Sequence, residues 1–241
     1  MKFTKTILRT IINLLLPKIL SPNFIKDKIN ILIRPENKIV YENNFYNRAS
    51  FIVRALNKFN LKECQYLEIG VCDNTIFNVI PLNIKNKIGI DPERGGTHRT
   101  TSDIFFKNNK KKFDVIFIDG LHTYKQCQKD CLNSLKFLNK NGFIFFHDFL
   151  PRNPYEENIP PKQREWSGDV WKVAVELNNS KNIDFVIANI DRGVGIIRPK
   201  KKYNYYKMEE LTKLNFSHFI KTYYPKLPVV NCKKALEFID K

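Results

Sequence analysis

Acidic residues recur in this sequence just after short apolar runs, and that pattern is the first sign of chemistry. The groups are Glu68-Ile69-Gly70, Asp91, Ser102-Asp103, Asp119-Gly120-Leu121-His122 and His147-Asp148. If the runs are parallel strands, these residues share one edge of the sheet, where open α/β folds bind ligands. A purely structural set of strand ends would show turn formers with scattered charge. An acid at the end of the second strand, Asp91, can accept hydrogen bonds from both hydroxyls of a ribose. Gly70-Val71-Cys72-Asp73-Asn74 lacks the G-x-G-x-x-G loop that seats a pyrophosphate on a helix N-terminus. Asp91 alone does not choose between nucleoside cofactors, but this loop disfavours a dinucleotide. His122 has an ordinary pKa near neutrality and could take a proton from a hydroxyl; it could equally cap the helix that follows.

The elements that must position these groups alternate between the two main periodicities. Helical spacing marks residues 45 to 59, 75 to 79, 103 to 108, 123 to 138 and 169 to 177. Strands are expected at 65 to 69, 87 to 90, 99 to 102, 113 to 118 and 143 to 146, with Asn139 to Gly142 closing the preceding helix. Nearly continuous apolar runs such as Phe113 to Ile118, interrupted only by Asp114, suit parallel strands covered on both faces. Two last strands, 184 to 188 and 194 to 197, are joined by a turn at Asp191 to Gly193 and must pair antiparallel. The expected fold is therefore α/β: a doubly wound, mostly parallel seven-stranded sheet with a terminal antiparallel hairpin. The chain divides into a basic N-terminal extension (1–44), a central domain (45–198) and a helical tail (199–241). Asn153 to Pro161 reads as a loop over the cleft.

Four stretches together resemble one family. They are Tyr66-Leu67-Glu68-Ile69-Gly70-Val71, Thr101 to Phe106, Phe113 to Tyr124 and His147-Asp148, with Trp166 to Lys172 as a weaker fifth. They look like bacterial class I methyltransferases of the "methyltransferase domain 24" type, over roughly residues 45 to 198. The resemblance implies a Rossmann-like fold and S-adenosylmethionine (SAM) as cofactor. Glu68, Gly70, Asp91, Ser102, Asp103 and Asp119 would bind SAM, and Asp119 and His122 would act at the reaction centre. It also implies O-methylation of a glycan or small hydroxylated metabolite. Related sugar O-methyltransferases bind a metal through an acid after the fourth strand and a paired acid after the fifth. Here His147-Asp148 replaces that pair; the resemblance implies that Asp119, His147 and Asp148 could hold a divalent ion, although a histidine sits poorly with magnesium, which prefers oxygen. The usual second glycine of the cofactor loop is Asn74, which tolerates left-handed backbone.

Composition bounds the partners. Hydrophobic residues are 43% of the 241, enough for a globular core. The net charge of +17 admits nucleic acid, an anionic membrane surface or an anionic substrate, or reflects only a Lys-rich coding bias. Nucleic acid is disfavoured, since the basic residues are spread through the chain and no aromatic RNA-binding signature is present. Thr6 to Leu16 is apolar with helical rhythm, interrupted by Arg9 and stopped by Pro17. It is too short to span a bilayer; it either packs on protein, including a second subunit, or lies in a membrane interface. The five cysteines, Cys64, Cys72, Cys127, Cys131 and Cys232, form no CxxC pair and suit free thiols in a cytoplasm.

Overall fold

The central strands of this protein bury side chains on both faces, and the sheet is accordingly covered on both sides. The computed structural model describes residues 39–43 and 45–241; the expected Thr6 to Leu16 helix lies outside them. The first half of the chain runs α1 (Arg48–Leu56), β1 (Tyr66–Ile69), α2 (Thr75–Val79), β2 (Lys87–Asp91), β3 (His98–Arg99), α3 (Ser102–Asn108) and β4 (Phe113–Ile118). The second half runs α4 (Tyr124–Phe137), β5 (Leu138–Phe146), α5 (Pro154–Glu157), α6 (Trp171–Asn179), β6 (Lys181–Ala188), β7 (Val194–Asn204), β8 (Val229–Val230) and α7 (Cys232–Asp240).

The sheet order is β3-β2-β1-β4-β5-β7-β6-β8. Strands β1 to β5 are parallel, and β7 runs antiparallel to both β5 and β6. The expected doubly wound sheet and terminal hairpin are present. Strand β8, pairing parallel with β6, is an eighth that the sequence pattern did not reveal. Alternation along each strand feeds two cores. Ile116, Ile118, Ile144 and Phe146 face one, beside residues of α3, α4 and α6. Val115, Phe117, Phe143 and Phe145 face the other, beside α1, α2 and α7. Because β1 pairs with β2 on one side and β4 on the other, the chain reverses its winding there, and a crevice opens above the β1–β4 junction.

Two expected boundaries differ. Helix α4 is not closed by the Asn139 to Gly142 segment: Leu138 is already extended and pairs with Phe113, so β5 starts there with a register shift. The left-handed residue is Asn141 (φ 64°), not a glycine. Likewise β7 does not stop near Ile197. It continues to Asn204 through Pro199, which sits opposite Ile183 beside another register shift, where the ladder tolerates the missing N–H. The tail is then tied down by the buried Glu176 carboxylate, which accepts from Tyr124 Oη (2.7 Å), Tyr205 Oη (2.6 Å) and Met208 N (2.8 Å).

The loop after β5 is built on two buried acids. Asn153 caps α5 by accepting from Tyr155 N and Glu156 N, with Pro154 in the first turn. Glu156 accepts from the Arg152 backbone N–H (2.7 Å) and side chain, and its carbonyl accepts from Ser167 N and Gly168 N, both at 2.9 Å. Glu157 accepts from Trp171 Nε1 at 3.1 Å. Burial pushes the Glu157 carboxyl up to about 7, against the opposing pull of that hydrogen bond. A folded pKa above the ordinary 4.5 means stability that is fully present below that value and lost as pH rises through about 7. Glu157→Gln, neutral throughout, should lose less melting temperature than the parent between about pH 5 and about pH 8. Parallel pH profiles for the two proteins would refute this assignment.

Candidate active site

The crevice is a cavity of about 980 Å³ whose walls come from the carboxyl ends of β1, β2 and β4 and from the loops beyond them. Its floor exists because Gly70 has no side chain. Gly70 has φ +83°, and a Cβ there would lie 2.1 Å from the Asp119 carbonyl oxygen, so the turns after β1 and β4 touch directly. Asn74, standing where a second glycine was expected, does adopt left-handed backbone (φ 65°) and accepts from Gly96 N at 2.8 Å.

Asp91 lines the cavity at the end of β2. Its carboxylate accepts from Cys72 N (2.9 Å), Glu93 N (2.8 Å) and Arg94 N (2.9 Å). Despite burial, these N–H groups lower its pKa and keep it ionised. It therefore ties together the loops after β1 and β2, a role the spacing did not disclose. Ser102 and Asp103 begin α3 on the same wall. Gln126 Nε2 donates to Ser102 Oγ (3.1 Å), Asp103 Oδ1 (3.3 Å) and Asp130 Oδ1 (3.1 Å). Asp130, from α4, was not foreseen; burial raises its carboxyl to about 6. Glu68 faces the cavity but is sealed at its edge. Its Oε2 accepts from Tyr66 Oη at 2.7 Å, and burial raises the carboxyl to about 8.

The opposite wall is an ionic cluster assembled from four separate segments. His147, at the end of β5, lies between three carboxylates: Nδ1 is 3.1 Å from Asp119 and 3.3 Å from Asp148, and Nε2 is 3.3 Å from Asp191. Arg48, from the first turn of α1, contacts Asp191 at 2.7 Å and approaches Asp119 at 3.7 Å. Arg192 donates to Asp148 at 2.8 Å. Burial works against charge on His147, but the acids around it hold its pKa well above the ordinary value. Asp119 and Asp191 are correspondingly held well below the usual carboxylate range, against burial, with His147 the largest opposing influence on each. Three members have left-handed backbone: Asp148 (φ 64°), Asp191 (φ 46°) and Arg192 (φ 58°). Such strain gathers at functional sites.

His122 stands one turn beyond Asp119. Its Nδ1 lies 2.9 Å from the Trp166 carbonyl, and its Nε2 lies 3.4 Å from Asp119. A carbonyl only accepts, so Nδ1 carries the hydrogen in that bond. Burial lowers the His122 pKa, but Asp119 and Asp148 outweigh it and raise it overall. The Trp166 ring packs 5.2 Å from the imidazole, and Gly168 (φ +62°) lets the backbone close onto the His122 carbonyl. His122 does not cap the following helix: Tyr124 N donates to Asp169 instead (2.6 Å).

Donor atoms of Asp119, His122 and Asp148 lie within 4.8 Å of one another, a spacing that would suit a metal ion. The buried Asp148 Oδ2 accepts no hydrogen bond. His147 has both nitrogens turned to carboxylates. Arg48, Asp130, Trp166 and Arg192 join the cavity lining without having been assigned a role from sequence, and Asp191 joins the ionic cluster behind it; the sequence pattern had marked Asp191-Arg192-Gly193 only as a turn and Trp166 only within a family-like stretch.

A sheet of this order with a terminal hairpin and a crevice at its switch point is the Rossmann-like fold of class I methyltransferases. A family model described as a methyltransferase domain matches residues 86–149, the stretch from β2 to the end of β5 that contains Asp91, Asp119, His122, His147 and Asp148. Over that stretch the chain is similar to a methyltransferase domain. Uncharacterized protein R132 of Acanthamoeba polyphaga mimivirus is 24% identical over 155 residues, covering 51% of this chain and 70% of that protein. Among solved structures, a protein from Klebsiella pneumoniae assigned as an O-methyltransferase superposes with TM-score 0.50 at 12% identity, covering 80% of this chain and 94% of that one. The O-methyltransferase from Bacillus cereus, solved with SAH, is similar at TM-score 0.42 and 12% identity, covering 83% and 96%.

Gly70→Ala should displace the loop after β1. The left-handed backbone alone costs roughly 1–2 kcal/mol for a residue with a Cβ, and the overlap with Asp119 adds to it. The melting temperature should fall and SAM affinity should fall with it. A variant with unchanged melting temperature and unchanged SAM affinity would show that this contact does not shape the cavity.

Proposed function

We propose that this chain transfers the methyl group of SAM to a hydroxyl of a carbohydrate or small hydroxylated metabolite. The observation that carries the reading is that one cavity joins the Gly70–Asp91–Ser102 wall to the Asp119–His122 pair. Its size and donors fit the cofactor. Asp91 would hold the ribose hydroxyls, Ser102 and Asp103 would edge the adenine, and the bare backbone of Gly70 would admit the methionine end beside Asp119. Glu68 would act through the loop it anchors. Bound SAM supplies an electrophilic methyl group on a sulfonium.

The protein's part is placement and proton removal. Trp166 and the exposed Leu121 flank His122 and give an acceptor ring an apolar surface. With Nδ1–H donating to the Trp166 carbonyl, neutral His122 would carry its lone pair on Nε2, beside Asp119, and would take the hydroxyl proton there as the new C–O bond forms and the S–C bond breaks. The imidazolium that results is stabilised by Asp119, 3.4 Å away. Alignment of the two partners supplies much of the remaining rate. A second reading rests on the Asp119, His122 and Asp148 grouping and on Asp148 Oδ2, which accepts no hydrogen bond although His122 Nδ1 and His147 Nδ1 lie 3.2 and 3.3 Å away. A divalent ion held there would acidify the acceptor hydroxyl. Two carboxylates and an imidazole favour a transition ion over magnesium. The surrounding Arg48, Arg192 and His147 already balance much of the acidic charge, which favours the base.

Calorimetry should detect SAM and not NAD. Asp91→Ala should weaken SAM binding by about 1.5–3 kcal/mol, as for a hydrogen bond to a charged group, and by more if the loops it ties also loosen. Cys72 is exposed and lines the cavity while the other four cysteines are buried, so SAM should slow its alkylation by iodoacetamide. Tight NAD binding, or alkylation indifferent to SAM, would remove the cofactor assignment.

His122→Ala should lower turnover about 10²–10⁴-fold on a true acceptor, found by screening sugars and glycans, and chelators should leave the parent active. Loss of activity to chelators, restored by a divalent ion and matched by Asp148→Asn, would establish the metal reading. Full activity in both variants would refute this reaction centre.

A further inference from the structure

The two ends of the sheet carry opposite charge. Leu67, Ile88, Ile116, Ile144, Ile197 and Phe185 form one row across six strands, fixed by their pairing. On the cleft side of that row the strands end in Glu68, Asp91, Asp119, Asp148 and Asp191. On the far side the chain shows exposed lysine almost everywhere. Lys85 precedes β2, a run at 110–112 precedes β4, Lys140 lies in early β5, Lys181 opens β6, and a run at 200–202 ends β7. The acids at this end are few and occupied. Asp114 accepts from Gln65 N and Asn139 Nδ2, both at 2.7 Å, Asp184 pairs with Lys200 at 3.1 Å, and Asp240 at the end of α7 pairs with Arg54 at 2.7 Å, leaving Glu63 and Glu237 exposed. Some lysines at helix C-termini complement the helix dipole, as Lys107 and Lys136 do. The runs at 110–112 and 200–202 lie outside helices and have no such reason. A Lys-rich coding bias would not sort charge by strand end.

We infer that this lysine face, opposite the cleft, docks the protein on an anionic lipid bilayer. The strand ends from β2 to β6 are six abreast, a breadth of roughly 24 Å at the usual strand spacing. The charges are thus spread over a broad end of the sheet rather than along a groove that would follow a nucleic-acid strand. They are lysines, which act on anionic headgroups as hydrated point charges and need no fixed geometry. Arg198, the arginine of β7, is turned away: its guanidinium lies over the Phe143 ring, 5.5 Å from the centroid. Tyr203 is partly exposed beside the run at 200–202, and Ile84 is exposed beside Lys85. A tyrosine suits the headgroup boundary. Docked this way, the cleft opens away from the lipid, and an acceptor approaches from solution. The inference rests on the fold and the charge, not on the methyl-transfer reading.

The test is sedimentation of the full chain with vesicles of phosphatidylcholine, with and without phosphatidylglycerol, across a salt series. Each lysine near such a surface contributes on the order of fivefold in partition. K110Q/K111Q/K112Q and K200Q/K201Q/K202Q should each reduce partition to the phosphatidylglycerol vesicles by at least about tenfold. K233Q/K234Q, at the start of α7 on the other end of the sheet, should change it by less than about twofold. Circular dichroism checks that all variants fold, and binding should weaken as salt rises. Equal partition to neutral and anionic vesicles overturns the inference, as does undiminished binding by both triple variants. Binding to duplex DNA tighter than to the vesicles, lost in the same triple variants, would assign the face to nucleic acid instead and overturn it as well.

Discussion

The imidazole of His147 holds three parts of the chain against one another. It is buried, and its two nitrogens reach the acids after β4, after β5 and in the β6–β7 turn. Arg48 adds the start of α1 to the same network, through Asp191 and Asp119. Buried charges are costly to desolvate and are kept only when each finds partners. Here each acid has a cation and His147 has three acids, so no segment can shift alone without leaving charge unpaired. The mouth of the cleft is therefore set by this network more than by its apolar lining. The left-handed residues Asp148, Asp191 and Arg192 are the conformational cost of bringing their side chains to it.

The same network governs the chemistry available. Asp119 touches both His147 and His122, so it cross-links the wall and also stabilises positive charge on the candidate base. The loop after β5 completes the arrangement from the other side. Glu156 and Glu157 anchor it, the Trp166 carbonyl sets the His122 tautomer, and Gly168 permits the close approach. That loop is part of the wall in this conformation, held by buried acids and not only by surface contacts.

Charge is polarised along the strands. Acids gather at the cleft end of the sheet and lysines at the opposite end, so the large positive net charge does not reach the cavity as a uniform field. A basic chain with an acid-lined cleft is then no contradiction: the two charges serve different faces.

Much of the fold was legible without coordinates. Runs such as Phe113–Ile118, apolar at every position but Asp114, already required a sheet covered on both faces, and their order in the chain required parallel pairing with a terminal hairpin. Periodicity also placed Asp91, Asp119, His122, His147 and Asp148 at strand ends, because the end of an apolar run is a local signal. What the sequence hid were contacts between residues far apart in the chain. Arg48 and Asp191 are 143 positions apart, and Tyr41, whose hydroxyl donates to the Leu150 carbonyl, is 109 positions from its partner. The extension of β7 through Pro199 and the pairing of β8 depend on neighbours that no local pattern names. Local periodicity determines which residues end a strand. Only tertiary packing decides which of them meet, because a buried ion pair is defined by its partners' positions in space and not by their spacing along the chain.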